Sequence, residues 1–216
     1  MNIEQARFNM IEQQIRPWDV LDKGVLGLLA IVRREDFVPT AYRSMAFVDT
    51  EVPLGHGEQM LPPRVEARLL QDLQVQRHER VLEIGAGSGF MAALLGHRAQ
   101  SVITLEIVPA LAKMAADNLR RNGAANVTVV QADGAHGHAA EAPFDAIVLS
   151  GSVAKVPAEL LGQLKPGGRL VAVEGSEPVM EAVRYTRGAN GFERLALFDI
   201  NAQRLVGFPE PPRFHF

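Results

Sequence analysis

Apolar residues recur at two different periods along this chain, and the change of period divides it. At the start, Ile3, Ala6, Met10 and Ile15 fall near helical spacing until Pro17 ends the run. A second helix is expected from Asp19 or Asp22, either of which can cap it, with Val25, Leu28, Leu29 and Val32 on its buried stripe. Between Asp36 and Pro63 the periodicity disappears. Pro39, Pro53, Gly55, Gly57, Pro62 and Pro63 punctuate that stretch, which reads mostly as loop. A loop of this length inside a compact domain is often functional.

From residue 64 onward, short apolar runs alternate with amphipathic ones. Strands are expected at 80–84, 101–105, 126–130, 144–149 and 169–173. Helices are expected at 65–73, through 91–95, from Pro109 to the stop at Asn122-Gly123, and at 157–164. Such alternation implies a parallel sheet covered on both faces. The end differs: 179–187 and 192–201 flank the turn Gly188-Ala189-Asn190-Gly191 and read as an antiparallel hairpin. The expected fold is α/β, a doubly wound, mostly parallel Rossmann-like sheet with a C-terminal antiparallel hairpin and an N-terminal helical extension. Residues 1–60 would form the extension and loop, and 61–216 the α/β domain.

Composition narrows the function. A chain of 216 residues that is 47% hydrophobic can bury a sizeable core in one domain. It has no cysteine, which removes disulfides, thiolate zinc sites and cysteine nucleophiles together. Lys plus Arg number 22 against 25 acidic residues, so no basic footprint for nucleic acid is present. The pairs Arg33-Arg34 and Arg120-Arg121 are expected on solvated faces. The longest apolar stretch, 24–32, is about half of what a membrane-spanning helix needs. With no signal-like start, the chain is expected to be soluble and cytoplasmic, with neither nucleic acid nor membrane as partner.

The sharpest local signal is Glu83-Ile84-Gly85-Ala86-Gly87-Ser88-Gly89-Phe90, where the first strand of the sheet turns into a helix. Open α/β sheets bind ligands at that edge. Phe90 stands where the dinucleotide fingerprint needs its third glycine, no Lys-Ser/Thr follows for a phosphate loop, and Ala86 breaks a nucleophile elbow around Ser88. An acidic residue followed by G-x-G-x-G remains, the form of the S-adenosylmethionine loop in many methyltransferases. Glu106, at the end of the second strand, can accept both ribose hydroxyls of an adenosine. Asp133-Gly134 after the third strand is placed to meet the adenine amino group. The candidate cofactor residues are therefore Glu83, Gly85, Ala86, Gly87, Ser88, Gly89, Glu106, Ile107, Asp133, Gly134 and Ser150, with S-adenosyl-L-methionine as the cofactor.

Four segments carry a family resemblance: 32–39 (VRREDFVP), 81–89 (VLEIGAGSG), 143–147 (PFDAI) and 163–171 (QLKPGGRLV). In these the chain resembles the protein L-isoaspartate O-methyltransferases over most of its length. The resemblance implies esterification of isoaspartyl carboxylates in damaged proteins, the first step of their repair. It breaks in the acceptor loop. The family carries a segment like G-x-G-Q-T-I-S, and this chain reads Gly55-His56-Gly57-Glu58-Gln59-Met60-Leu61, with Gln59 for the Thr and Leu61 for the Ser. The stretch Ser150-Gly151-Ser152-Val153 and the ending Leu205-Val206-Gly207-Phe208-Pro209 also depart from it. A small-molecule or other acceptor, or a cofactor-binding protein with little catalysis, is the alternative.

A carboxylate acceptor is already ionised at neutral pH and needs no general base. Another acceptor would need one, from His56, Glu58 or Asp49. His136 and His138 have metal-like spacing without a recognised third ligand, so no metal is expected. Trp18 reads as a packing residue and Arg64 as a helix-surface arginine that could reach an acceptor carboxylate.

Overall fold

The structure, a computed structural model, describes residues 2–210. Seven strands form the central sheet in the order β5-β4-β3-β6-β7-β8-β9. β3 (Arg80–Ile84), β4 (Ser101–Glu106), β5 (Val127–Gln131), β6 (Phe144–Val153) and β7 (Leu164–Ser176) run parallel. β8 (Val179–Gly188) and β9 (Gly191–Asp199) follow as an antiparallel meander. The strand order reverses between β3 and its two neighbours β4 and β6, so the crevice of a doubly wound sheet opens at the carboxyl end of β3.

Alternation along each strand sends side chains to two apolar layers. Val81, Val102, Val148 and Val171 lie on the side of α3 (Pro63–Leu73), α4 (Phe90–Arg98) and α5 (Pro109–Arg121), with α2 (Lys23–Ile31) packed on α3 and α4 and α1 (Ile3–Met10) leading into the turn beside them. Leu82, Leu105, Ile147 and Leu170 face α6 (Ala158–Gly162), and Phe208 of the C-terminal segment joins that second layer. Residues of the N-terminal extension, among them Met10, Ile15 and Leu29, belong to the same apolar cluster as the first layer.

Local chemistry explains most boundaries. Asp22 caps α2 by accepting from the Val25 N–H at 2.9 Å. Pro63 and Pro109 open α3 and α5, where their missing N–H is not needed. The first helix passes into a π turn over Ile11–Ile15 and a 3-10 turn over Arg16–Trp18, where Pro17 ends it.

Three expectations are corrected. The stretch taken as mostly loop contains a small antiparallel hairpin, β1 (Val52–Gly55) with β2 (Glu58–Met60). Pro53 and the brevity of β2 hide it, and Gly55, His56 and Gly57 turn it with positive φ of 88°, 57° and 82°. Next, α6 is shorter than 157–164, because β7 begins at Leu164 and absorbs Lys165-Pro166-Gly167-Gly168 as an irregularity in its pairing with β6. Finally, Arg33 is exposed but Arg34 is not on a solvated face: its side chain is 1% exposed. Arg34 Nη2 donates to the Leu61 carbonyl at 2.5 Å, Nε to Glu66 Oε2 at 3.2 Å and Nη1 to the Ala46 carbonyl at 3.3 Å. The Phe90 ring lies 5.4 Å from its Cζ.

Among the described residues no helix is long and apolar enough to cross a membrane.

Breaking a buried ion pair from one side leaves an uncompensated group, at a cost of about 3–5 kcal/mol. Arg34→Met is therefore expected to lower the unfolding free energy by about that amount in urea titrations. A loss under about 1 kcal/mol would show that the guanidinium is not what holds these segments together.

Candidate functional site

The turn from β3 into α4 is made by glycines for separable reasons. Gly85, Gly87 and Gly89 have φ of +90°, +50° and +86°, a region that L side chains rarely adopt. A Cβ on Gly89 would lie 3.2 Å from the Ala115 backbone, so this glycine lets α4 start against α5. A Cβ on Gly85 would lie 2.8 Å from Leu205 Cδ2, and one on Gly87 3.1 Å from Leu54 Cδ1. The Gly85 and Ala86 N–H groups donate to the Leu105 carbonyl at 2.9 and 3.0 Å, pinning the loop to β4.

Beside this loop lies a cleft at the carboxyl end of β3, where open α/β sheets bind ligands. Of the residues expected to hold a cofactor, Gly85, Gly87, Glu106, Ile107, Gly134 and Ser150 line it, and so does Gln59 of the acceptor loop. Glu106 is 5% exposed and accepts from the Gly87 N–H at 2.8 Å and the Val108 N–H at 2.9 Å. A carboxylate has about four acceptor positions, so two bonds leave room for a diol.

The other expected residues sit elsewhere. Glu83, Ala86, Ser88 and Leu61 line a smaller adjoining cavity together with Glu66, and Gln59, Gly85, Gly87 and Ser150 border both spaces. Glu83 is fully buried, with Thr104 Oγ1 donating at 2.7 Å and Ser150 Oγ at 2.8 Å. Burial, with the charges of Glu66 and Glu106, pushes its carboxyl up to about 8 against the pull of those two hydroxyls. Burial likewise pushes Glu66 up to about 7, opposed by Arg34. Ser88 Oγ meets Met60 Sδ at 3.7 Å, and the Ser88 carbonyl accepts from Asn118 Nδ2 at 2.8 Å. Leu61 is 6% exposed and packs in the first apolar layer. Gly89 and Asp133 line neither space. Asp133 Oδ1 accepts from the Ala135 N–H at 2.9 Å, and a Cβ on Gly207 would stand 2.7 Å from that oxygen.

One wall of the larger cleft went unread in the sequence. Leu205, Val206 and Phe208 line it. Leu205 N–H donates to the Ser152 carbonyl at 2.9 Å, and Ser152 N–H to the Gln203 carbonyl at 2.8 Å. The available signal was three apolar residues in an irregular segment after the last strand. Glu58 also lines the cleft; burial and the Glu106 charge push its carboxyl up.

A second, open cleft adjoins the first through Gln59 and is lined by Asp49, Arg64, Met180, Gln203 and Arg204 among others. Of the alternative bases, Asp49 lies here paired with Arg64, and His56 is exposed at the hairpin tip. His136 pairs with Glu159 at 2.7 Å on the surface, and no cluster of three metal-ligating side chains exists among the described residues.

Comparison with known proteins follows the same lines. The family model for protein-L-isoaspartate(D-aspartate) O-methyltransferase matches residues 5–197. The protein-L-isoaspartate O-methyltransferase of Methanoculleus marisnigri is 36% identical over 203 residues, covering 94% of this chain and 92% of its own. That of Rhodopseudomonas palustris is 41% identical over 209 residues, covering 94% and 96%. A solved protein-L-isoaspartate O-methyltransferase superposes with a TM-score of 0.79 at 22% identity, over 95% of this chain and 66% of that one. A Plasmodium falciparum protein described by the same activity, in complex with S-adenosyl-L-homocysteine, gives 0.77 at 21% identity over 94% and 97%. The two structures establish the shared fold. With the family model spanning most of its length, the chain belongs to the protein-L-isoaspartate(D-aspartate) O-methyltransferase family of S-adenosylmethionine-dependent methyltransferases.

Proposed function

We propose that this protein transfers a methyl group from S-adenosylmethionine to the carboxylate of isoaspartyl residues in damaged proteins. The observation that carries the reading is the pair of adjoining clefts. One is built from the glycine loop and Glu106, the other opens to solvent, and Gln59 lines both. The first fits the cofactor: positive-φ glycines bring backbone rather than side chain to the cleft, and Glu106 keeps free acceptor positions for ribose hydroxyls. Ile107 and Gly134 would flank the adenine, and Gly85, Gly87 and Ser150 the methionine part. Glu83, Ala86, Ser88, Gly89 and Asp133 would shape the site from behind.

S-adenosylmethionine supplies an electrophilic methyl group on a sulfonium. The chain has no proton to move, because an isoaspartyl carboxylate is ionised at neutral pH. Its work is to hold the acceptor oxygen about 3 Å from the methyl carbon and in line, and to exclude water. Leu54, Leu205 and Phe208 supply the apolar walls for that exclusion. A neutral Glu83 beneath the loop keeps a buried negative charge out of the site at neutral pH.

One observation favours a second reading, a methyltransferase with another acceptor. Position 61 offers a buried leucine where the resemblance expects a hydroxyl. We place the activity in the cytoplasm, where a chain without cysteine needs no oxidising environment, and we include neither nucleic acid nor membrane among its partners.

The first test is methyl transfer from labelled S-adenosylmethionine to an isoaspartyl peptide beside its aspartyl twin. Transfer to the isoaspartyl peptide alone, giving a base-labile ester, is expected. No transfer by protein that binds the cofactor would direct the search to another acceptor. Gly87→Val is expected to weaken cofactor binding by roughly tenfold or more, since its side chain enters the cleft beside Leu54. Calorimetric titration of protein whose thermal transition is intact checks this, and unchanged affinity would reject the placement.

Glu83 also fixes a pH dependence. Its folded carboxyl is pushed up to about 8, while in the unfolded chain it keeps the ordinary value of 4.5, so between these values the unfolded chain loses a proton that the folded chain keeps. Stability from this group is complete below the lower value and falls as pH rises, by at most about 1.4 kcal/mol per pH unit. The unfolding free energy of the wild type minus that of Glu83→Gln should therefore decline steadily from about pH 5 to pH 8. A flat difference would mean that Glu83 is ionised in the folded protein.

A further inference from the structure

The open cleft contains two arginines, and only one has its donors committed. Arg204 Nε lies 2.7 Å from Glu210 Oε1, its Nη2 donates to the Gly175 carbonyl at 2.9 Å, and its Nη1 reaches Ser152 Oγ at 3.4 Å. Arg64 is different. It is the second residue of α3, follows the acceptor loop directly, and keeps 31% of its side chain exposed. Its Nε lies 2.9 Å from Asp49 Oδ2, and its Cζ stands 4.1 Å above the ring of Trp18. Trp18 is wedged edge-on against Phe198, with ring centroids 5.5 Å apart at 78°. The terminal nitrogens of Arg64 make no hydrogen bond to protein among the described residues. The guanidinium is thus held by the Trp18 ring on its face and the Asp49 carboxylate at ion-pair distance, while its buried Nε makes no hydrogen bond and its terminal donors are available to the cleft. A planar fork held in this way suits a carboxylate and differs from a freely rotating surface arginine.

Asp49 is part of the same device. Its Oδ1 is buried without a hydrogen-bond partner, although the residue lines the open cleft. A buried oxygen left unpaired costs free energy that a donor would recover. A peptide acceptor brings such a donor in the backbone N–H next to its carboxylate.

We propose that Trp18, Arg64 and Asp49 form the acceptor-recognition subsite: Arg64 binds one oxygen of the isoaspartyl carboxylate, and Asp49 accepts from the adjacent peptide N–H. The proposal rests on the isoaspartyl reading above. It assigns carboxylate recognition to an arginine in a chain whose loop offers Gln59 and Leu61 in place of hydroxyls. The second carboxylate oxygen forms the new C–O bond as the sulfur–methyl bond breaks. That electron pair stays on sulfur, and no proton moves.

The sign of the kinetic effect follows from this charge flow. Negative charge on the carboxylate falls toward the transition state and is absent from the ester product. Arg64 therefore binds substrate more strongly than either, so it lowers KM without raising kcat and helps the neutral ester to leave.

Two measurements test the subsite. In steady-state transfer to an isoaspartyl peptide, Arg64→Ala should raise the peptide KM by roughly tenfold to a hundredfold, with kcat within about threefold. Affinity for S-adenosylmethionine should not change, and Arg64→Lys should recover part of the KM. A structural role would instead lower kcat, weaken cofactor binding or depress the thermal transition. The second measurement uses Trp18, the single tryptophan of the chain. With S-adenosylhomocysteine present, the isoaspartyl peptide should change its fluorescence in the wild type and not in Arg64→Ala. An active wild type with an unchanged KM in Arg64→Ala would overturn the subsite. A wild type that transfers nothing, yet shows the Arg64-dependent fluorescence change, would overturn the acceptor reading and leave carboxylate recognition standing. No transfer and no fluorescence change would overturn both.

Discussion

The buried guanidinium of Arg34 is the contact on which the arrangement of this protein depends. It satisfies carbonyls from two irregular stretches, at Ala46 and Leu61, and an acid on α3, Glu66. Those stretches cannot satisfy their own backbone by helix or sheet pairing, and an unpaired buried carbonyl is costly. One side chain with five donors in a rigid fork solves the problem for several segments at once. Its hold on the Leu61 carbonyl fixes the end of the hairpin that carries Glu58 and Gln59, and so fixes the partition between the two clefts. The apolar neighbours Phe37 and Phe90, with ring centroids 5.4 Å apart, close the layer around it.

Around that clasp the site draws on distant parts of the chain. The crevice exists because strand order reverses between β3 and β6, which separates the segments following β3 and β6. Glycines let the first of these approach closely, and Glu106 holds it in place through the Gly87 N–H. The hairpin closes one side with Leu54, and the segment after β9 closes another with Leu205 and Phe208. The buried acid Glu83 lies behind the loop, where burial favours its neutral form, and Glu66 beside it is paired with Arg34.

What the sequence made legible follows from how local each signal is. β3 was readable to its ends because an apolar run stops at glycines, and α5 because Pro109 opens it and Asn122-Gly123 follows it. The position of Glu106 at a strand end was readable because the apolar run of β4 stops there. Glu83 and Asp133 stand at similar positions but differ in ways only packing decides. The first is enclosed by Thr104 and Ser150, and the second turns to cap Ala135. The burial of Arg34 was illegible for the same reason: its partners are 12, 27 and 32 residues away. The β1–β2 hairpin was masked by Pro53 and the glycines that also make its turn possible.

The segment that forms the last wall of the cleft beside the glycine loop has a further consequence. It is held to the sheet by backbone bonds around Ser152, a bond from Ser152 Oγ to the Ala202 carbonyl, Arg204 Nη2 on the Gly175 carbonyl, the packing of Leu205 over Gly85 and Gly151, and Phe208 in the second apolar layer. A molecule filling the cleft touches this wall on one side, so its release carries the cost of whichever of those contacts must break. The open cleft beyond Gln59 is lined by the same segment, from Ile200 to Arg204. On the proposed assignment of the clefts, one stretch of chain borders both the methyl donor and the acceptor, so a shift of that stretch on filling the first cleft changes the room left in the second.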